Sequence, residues 1–177
     1  MNVGLLIVRI VVGGLFVGHG TQKLFGWWGG NGLKGTGGWL DSLGYRPGTT
    51  MAALAGVAEA GGGLLLVLGL ITPLGAAAVI GVMVNAMLAV HVQHGMWNSD
   101  GGAEFPLTMA TVAAMLGFTG PGRFSLDRAM GLDLSGIVWG LLTVLVGIMG
   151  GIALFAYRSS VTRRSTAQRR AAERPAA

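Results

Sequence analysis

Long runs of apolar residues separated by shorter polar stretches dominate the pattern of the chain. Five runs predict helices in a lipid bilayer, at about 3–20, 49–71, 74–91, 105–118 and 136–157. A helix that crosses the hydrocarbon core needs about 20 residues. The fourth run, at roughly fourteen residues, is short for a full crossing. The pattern predicts an all-α fold, a transmembrane helical bundle.

The connections between the runs differ in length. Residues 21–48 form a long Gly- and Trp-rich loop, in which Trp39, Leu40 and Leu43 share one face of a short predicted surface helix. Thr72-Pro73 separates the second and third runs. So short a connection predicts an antiparallel helical hairpin.

The order of these segments predicts three parts. Residues 1–130 form a four-helix membrane bundle, and residues 131–157 contain a fifth transmembrane helix. Residues 158–177 are rich in Arg, Ser, Thr and Ala and lack apolar periodicity, so we predict a disordered cytoplasmic tail.

Composition excludes a soluble globular protein. Hydrophobic residues make up 52% of the chain, charged residues 11%, and the mean hydropathy is +0.65, whereas soluble domains carry about 25% charged residues. The chain has no cysteine, so its own side chains form no disulfide and no thiolate-bound cluster. Redox chemistry would require a bound cofactor or a partner protein.

The net charge of +5 comes mainly from the end of the chain, since six of the twelve basic residues lie within 158–177. We interpret this cluster as an orientation signal or a contact with anionic lipid, and predict no nucleic-acid partner. Cytoplasmic loops are enriched in Lys and Arg. With five spans, the tail and the basic first loop lie on one face, which predicts the N-terminus outside and the C-terminus inside.

Small residues four positions apart predict close helix packing. These pairs and triplets are Gly14 and Gly18, Ala52, Gly56 and Ala60, and Gly147 and Gly151. The same Gly-rich faces are candidate surfaces for homo- or hetero-oligomers, although the sequence does not define the oligomeric state.

Ionisable residues inside the spans are costly in lipid and are therefore candidates for function. Glu59 shares a helix face with small residues and is expected to point into the bundle. Arg9 lies at a depth about 10 Å from that of Glu59 at 1.5 Å per residue. We predict an Arg9–Glu59 ion pair, direct or through Asn85 or water. One interpretation is that the pair only fixes helix register; the other is that it lines a polar pocket.

Histidines lie near one membrane face. His19 shares a helix face with Lys23, and His91 and His94 are three residues apart. Together with Glu59 and the loop residue Glu104, the three histidines could form a metal site, but no metal motif is present and we predict none. Hydrogen bonding and proton transfer at a pocket near the interface is the favoured interpretation.

An apolar, aromatic-walled pocket with such donors and bases suits a quinone. Glu59, His19 and His91 are the candidate proton-handling residues. The full set of candidate ligand-binding residues is Arg9, His19, Lys23, Trp27, Glu59, Asn85, His91, His94 and Glu104.

Several short motifs, in this order and spacing, resemble those of the DoxX family over about positions 5–130. The residues are Arg9, Phe16, Gly18-His19-Gly20, Lys23-Leu24-Phe25, Gly56-Val57-Ala58-Glu59, Gly62, Gly69-Leu70-Ile71-Thr72-Pro73, His94-Gly95-Met96-Trp97, Glu104 and Gly120-Pro121-Gly122-Arg123-Phe124-Ser125-Leu126-Asp127. A fifth span and a basic tail depart from the four-helix family pattern.

The resemblance implies a small integral membrane subunit of a redox assembly in the bacterial cytoplasmic membrane. Related DoxD-type proteins belong to thiosulfate:quinone oxidoreductase, and actinobacterial DoxX-like proteins associate with a complex of superoxide dismutase and a sulfurtransferase. The resemblance implies no catalytic motif. We therefore expect a quinone-linked subunit with soluble redox partners; the alternatives are a ligand-free scaffold for such enzymes and, last, a small-molecule carrier.

Overall fold

The computed structural model describes residues 2–172, with side chains in the last helix as far as Arg163. Seven α-helices occupy the described residues: α1 Asn2–Phe25, α2 Gly32–Ser42, α3 Gly48–Leu68, α4 Thr72–Ala86, α5 Glu104–Thr119, α6 Leu126–Ala129 and α7 Ile137–Ala172. A π-helical turn, Met87–His91, and a 3-10 turn, Val92–His94, prolong α4. The all-α prediction is confirmed.

Four helices in the described part of the chain are long and apolar enough to cross a membrane: Asn2–Phe25, Gly48–Leu68, Thr72–His94 and Ile137–Arg163. Helix α5 has 16 residues and is only about 24 Å long. It still connects the two ends of the bundle, because Ala103 bonds to Gly95 beside the end of α4 and Phe118 bonds to Gly136 beside the start of α7. The first residue of α1 and the last residue of α7 therefore lie at opposite ends of the bundle.

The prediction of a disordered tail from residue 158 is wrong for the described residues, because α7 continues without a break to Ala172. Residues 152–172 contain neither Gly nor Pro, and Ala, Arg and Gln are good helix formers. Absence of an apolar face does not prevent a helix that continues an existing one. Residues 173–177 of the predicted tail lie outside the described part of the chain.

Small residues bring the helices into backbone contact, although not all of the predicted ones take part. A Cβ atom on Gly13 would lie 2.6 Å from the Gly63 carbonyl, and one on Gly147 would lie 2.6 Å from Cβ of Ile80. These glycines allow α1 to pack on α3 and α4 to pack on α7. Gly14 and Gly18, predicted as contacts, have open space beside them.

Arg9 lies within the bundle and holds the end of α3. Its side chain is 1% exposed. Nε and Nη2 donate to the carbonyls of Leu66 and Val67 at 2.8 and 2.9 Å, and Nη1 donates to those of Pro121 and Phe124 at 2.7 and 2.8 Å. The last carbonyls of a helix lack partners within it and carry partial negative charge. A single guanidinium therefore caps α3 and fixes the 120–125 segment against it.

Asp127 performs the converse role at the start of α4. Its carboxylate, fully buried, accepts bonds from the backbone nitrogens of Ile71 and Thr72 at 2.7 and 3.0 Å and from the Thr72 hydroxyl at 2.8 Å. Ile71 has a φ of 42°, a conformation that costs about 1–2 kcal/mol for an L-residue. The Asp127 contacts offset that cost and hold the α3–α4 hairpin closed. We call this part of the bundle the Arg9 end.

Substitution of Gly69 tests this arrangement. Gly69 has a φ of 61°, and a Cβ there would lie 2.5 Å from Nη2 of Arg9. We expect Gly69→Ala to lower stability by about 2 kcal/mol or more through backbone strain and displacement of the guanidinium, measured as the thermal midpoint in mild detergent. Gly14→Ala, in open space on α1, is the matched control. Equal midpoints for both variants would contradict the capping role.

Candidate functional site

A cavity of about 320 Å³ lies at the opposite end of the bundle, which we call the Lys23 end. Helices α1 to α5 and the turn before α3 all contribute to its wall. The apolar lining includes Phe16, Trp39, Leu40, Met83, Phe105 and Pro106. The polar lining consists of His19, Lys23, Tyr45, Glu59, Asn85 and His91. Five of these six polar residues are predicted site residues, and Tyr45 is new.

An ion pair between Lys23 of α1 and Glu59 of α3 forms one wall. Nζ and Oε2 are 2.5 Å apart, and Glu59 is 4% exposed. The predicted Arg9–Glu59 pair is therefore wrong. Arg9 donates to carbonyls at the other end of the bundle, while Lys23, two turns beyond Phe16 on α1, reaches the carboxylate instead.

A second polar pair joins the turn before α3 to α4. The Tyr45 hydroxyl donates to Oδ1 of Asn85 at 2.6 Å. This bond sets the amide orientation, so that Nδ2 is a donor, and among the described residues Nδ2 has no acceptor. Burial raises the pKa of Tyr45 above its ordinary value of 10.0, against the smaller lowering effects of Asn85 and Arg158. Tyr45 is therefore a neutral hydroxyl at neutral pH.

Helix α7 holds the turn that carries Tyr45. Nε of Arg158 donates to the carbonyl of Leu43, and its guanidinium lies 5.7 Å from the centre of the Tyr45 ring. The hydroxyl of Tyr157 donates to the carbonyl of Arg46 at 2.6 Å. Helix α7, the fifth predicted span, is thus part of the bundle, since it fixes one wall of the cavity.

The π-helical turn Met87–His91 places three lining residues, Ala89, Val90 and His91. Such turns within helices are frequent at functional sites. Nδ1 of His91 lies 2.7 Å from the carbonyl of Gly101. Because a carbonyl only accepts, Nδ1 carries the proton in the neutral ring and Nε2 is left as an acceptor.

Four predicted site residues do not line the cavity. Arg9 lies at the other end, as described. Trp27 is exposed beside Phe25, Nδ1 of His94 lies 2.8 Å from the carbonyl of Val90, and Glu104 accepts from the backbone of Asn98. The loop around Glu104 bonds to itself, which turns these groups away from the bundle. Among the described residues, no three His, Asp or Glu side chains cluster as metal ligands.

The arrangement supplies complementary chemical groups within one apolar enclosure. Lys23 and Asn85 carry hydrogen-bond donors, and Glu59 is a carboxylate whose second oxygen, Oε1, has no partner among the described side chains. Sequence reasoning missed Tyr45. Nothing in the spacing of positions 45 and 85 indicates contact, because the two lie in different elements.

Comparison with known proteins agrees with the predicted family. A family model described as DoxX matches residues 4–92. The uncharacterized membrane protein Rv3486 of Mycobacterium tuberculosis is 30% identical over 135 residues, which cover 71% of this chain and 80% of that protein. The inner membrane protein YphA of Escherichia coli is 34% identical over 133 residues, or 70% and 88% of the two chains. No solved structure matches the chain.

The burial of Tyr45 has a spectroscopic consequence. The chain has only two tyrosines, and Tyr45 is 2% exposed whereas Tyr157 is 40% exposed. In Tyr157→Phe, the midpoint of the phenolate absorbance titration should therefore lie above the ordinary tyrosine pKa, since burial disfavours the anion. Ultraviolet absorbance titration of the folded protein measures it. Titration at or below the ordinary tyrosine pKa would contradict the buried placement.

Proposed function

The chain belongs to the DoxX family of membrane proteins, and we propose that it binds the headgroup of a lipid-soluble quinone in the cavity at the Lys23 end. In this proposal the protein is the quinone-binding membrane subunit of an oxidoreductase assembly. The observation that carries it is the enclosure of the Lys23–Glu59 pair and Asn85 by aromatic and aliphatic side chains.

The cavity residues fit a quinone in size and chemistry. A volume of about 320 Å³ is at the lower end of the range for small-molecule sites, about 300–1,000 Å³. A quinone ring is flat and apolar and carries two carbonyl acceptors. Trp39, Phe16 and Phe105 supply flat apolar walls, while the ammonium of Lys23 and the amide of Asn85 supply donors.

Reduction of a bound quinone to a quinol consumes two electrons and two protons. In this proposal Glu59 and His91 hold a proton beside the ligand, since Glu59 has a carboxylate oxygen without a partner among the described side chains and the neutral ring of His91 leaves Nε2 as an acceptor. The chain contains no cysteine, so its side chains cannot form a dithiol relay. We therefore propose that a soluble redox partner delivers the electrons at the Lys23 end.

A binding measurement tests the cavity directly. Menadione, a naphthoquinone without a tail, should bind purified protein in lipid nanodiscs. Lys23→Met should weaken that binding about tenfold or more, because a hydrogen bond from a charged group contributes about 1.5–3 kcal/mol. Lys34→Met, which removes an exposed lysine of α2, should leave the affinity unchanged.

A double variant separates binding from folding. Removing one partner of a buried ion pair leaves the other unpaired and costs about 3–5 kcal/mol, whereas replacing both with apolar residues is often tolerated. Lys23→Met/Glu59→Met should therefore fold and fail to bind menadione. Full affinity in this folded variant would contradict the proposal. Absence of quinone binding in the wild type, with soluble redox enzymes co-purifying, would favour the scaffold alternative.

We also propose that the Lys23 end faces the cytoplasm. Lys34, Arg46, Arg158 and Arg163 lie at this end, against Arg123 and Arg128 among the loop cations of the Arg9 end, and cytoplasmic loops are enriched in basic residues. A reporter that is active only in the cytoplasm, fused after Arg174, should be active. A silent fusion, with an active periplasmic reporter at the same position, would reverse the orientation.

A further inference from the structure

An apolar groove of about 420 Å³ lies on the outer surface of the bundle between α3, α4 and α7. Its floor is made by small residues of α4, Ala78 and Gly81, and its walls by Leu54 and Ala58 of α3 and Val146 and Gly150 of α7. Leu54 and Val146 are each 56% exposed. In a membrane these side chains face acyl chains, so the groove opens towards lipid.

The groove adjoins the cavity at the Lys23 end. Three residues line both spaces: Ala55 of α3 and Val82 and Asn85 of α4. Two of the three have short side chains, and Asn85 is the one polar residue among the described residues that line the groove. The apolar groove therefore begins where the polar side of the cavity ends.

The groove follows α4 from Asn85 to Leu74, a distance of about 16 Å at 1.5 Å per residue. It runs from the level of the cavity towards the Arg9 end, which is into the hydrocarbon region of a membrane. This direction and this lining suit a long, flexible hydrocarbon chain attached to a ring in the cavity.

We propose that the groove binds the isoprenoid tail of the quinone whose headgroup occupies the cavity, with the tail passing beside Ala55 and Val82. This inference rests on the proposed function and specifies its ligand as a tailed quinone. Helix α7, which supplies one wall, lies outside residues 4–92 matched by the family model. Helix α7 is thus assigned a role in ligand selection.

The cavity also borders α1, α5 and the π-helical turn after α4, where His19, Phe105 and His91 lie. That side carries two titratable rings and ends in the polar 95–103 loop, so it suits access by water and by a redox partner. An apolar tail is better accommodated by the α3–α4–α7 groove, whose lining is almost wholly hydrocarbon.

A groove-filling variant tests the inference. A Cβ atom on Gly150 would have no neighbour within 4 Å, so Gly150→Leu should fold and place its side chain in the groove. Binding of menadione and of an isoprenylated naphthoquinone is compared in nanodiscs of one lipid composition. We expect Gly150→Leu to weaken binding of the isoprenylated naphthoquinone about tenfold, which is about 1.4 kcal/mol, and to leave the affinity for menadione unchanged.

Two further variants complete the test. Gly14→Leu, equally open but on α1, is the matched control and should alter neither affinity. Ala58→Leu fills the groove from its α3 wall and should reproduce the effect if Gly150→Leu is poorly folded. If both groove variants bind the two ligands in the wild-type ratio, the tail lies elsewhere and the inference is wrong while the headgroup site stands. If the wild type binds neither ligand, both proposals fail.

Discussion

The buried guanidinium of Arg9 is the constraint on which the rest of this bundle depends. It binds the last carbonyls of α3 and fixes the 120–125 segment, while Asp127 accepts bonds from the backbone nitrogens at the start of α4. In lipid, unsatisfied backbone groups cost several kcal/mol each. The α3–α4 hairpin can turn within the protein only because Arg9 and Asp127, of opposite charge, bind the backbone groups at its two helix ends. The hairpin in turn places Glu59 and Asn85.

The ionisable groups at the two ends of the bundle have different roles. At the Arg9 end, Arg9 and Asp127 are occupied by backbone partners and the Thr72 hydroxyl, so neither is left to bind a ligand. At the Lys23 end, Lys23 and Glu59 pair with each other beside a cavity, and donors and acceptors remain available. Helix α7 links the two regions, since it packs along α4 and then clasps the turn that carries Tyr45.

Hydropathy predicted the helices, because apolar length in lipid is a local property of the sequence. The inward direction of Glu59 also followed from its small-residue helix face. The ion-pair partner of Glu59 did not follow from the sequence. The depth estimate was compatible with Arg9, and only the three-dimensional path of α1 shows that Lys23 contacts the carboxylate. Whether Gly13 or Gly14 packs against α3 depends on the rotation of α1 about its axis. The Tyr45–Asn85 contact depends on the path of a turn between helices. Periodicity in the sequence determines neither. The continuation of α7 was missed because a polar helix has no apolar pattern.

Ligand binding at the Lys23 end, and not at the Arg9 end, is the central claim. Photoaffinity labelling with an azido-naphthoquinone, followed by mass spectrometry of the peptides, tests this most directly. We expect labelling in peptides that contain Tyr45 and Asn85, suppressed by excess unlabelled quinone. Labelling confined to the segment around Asp127, or spread over lipid-facing peptides without competition, would contradict it.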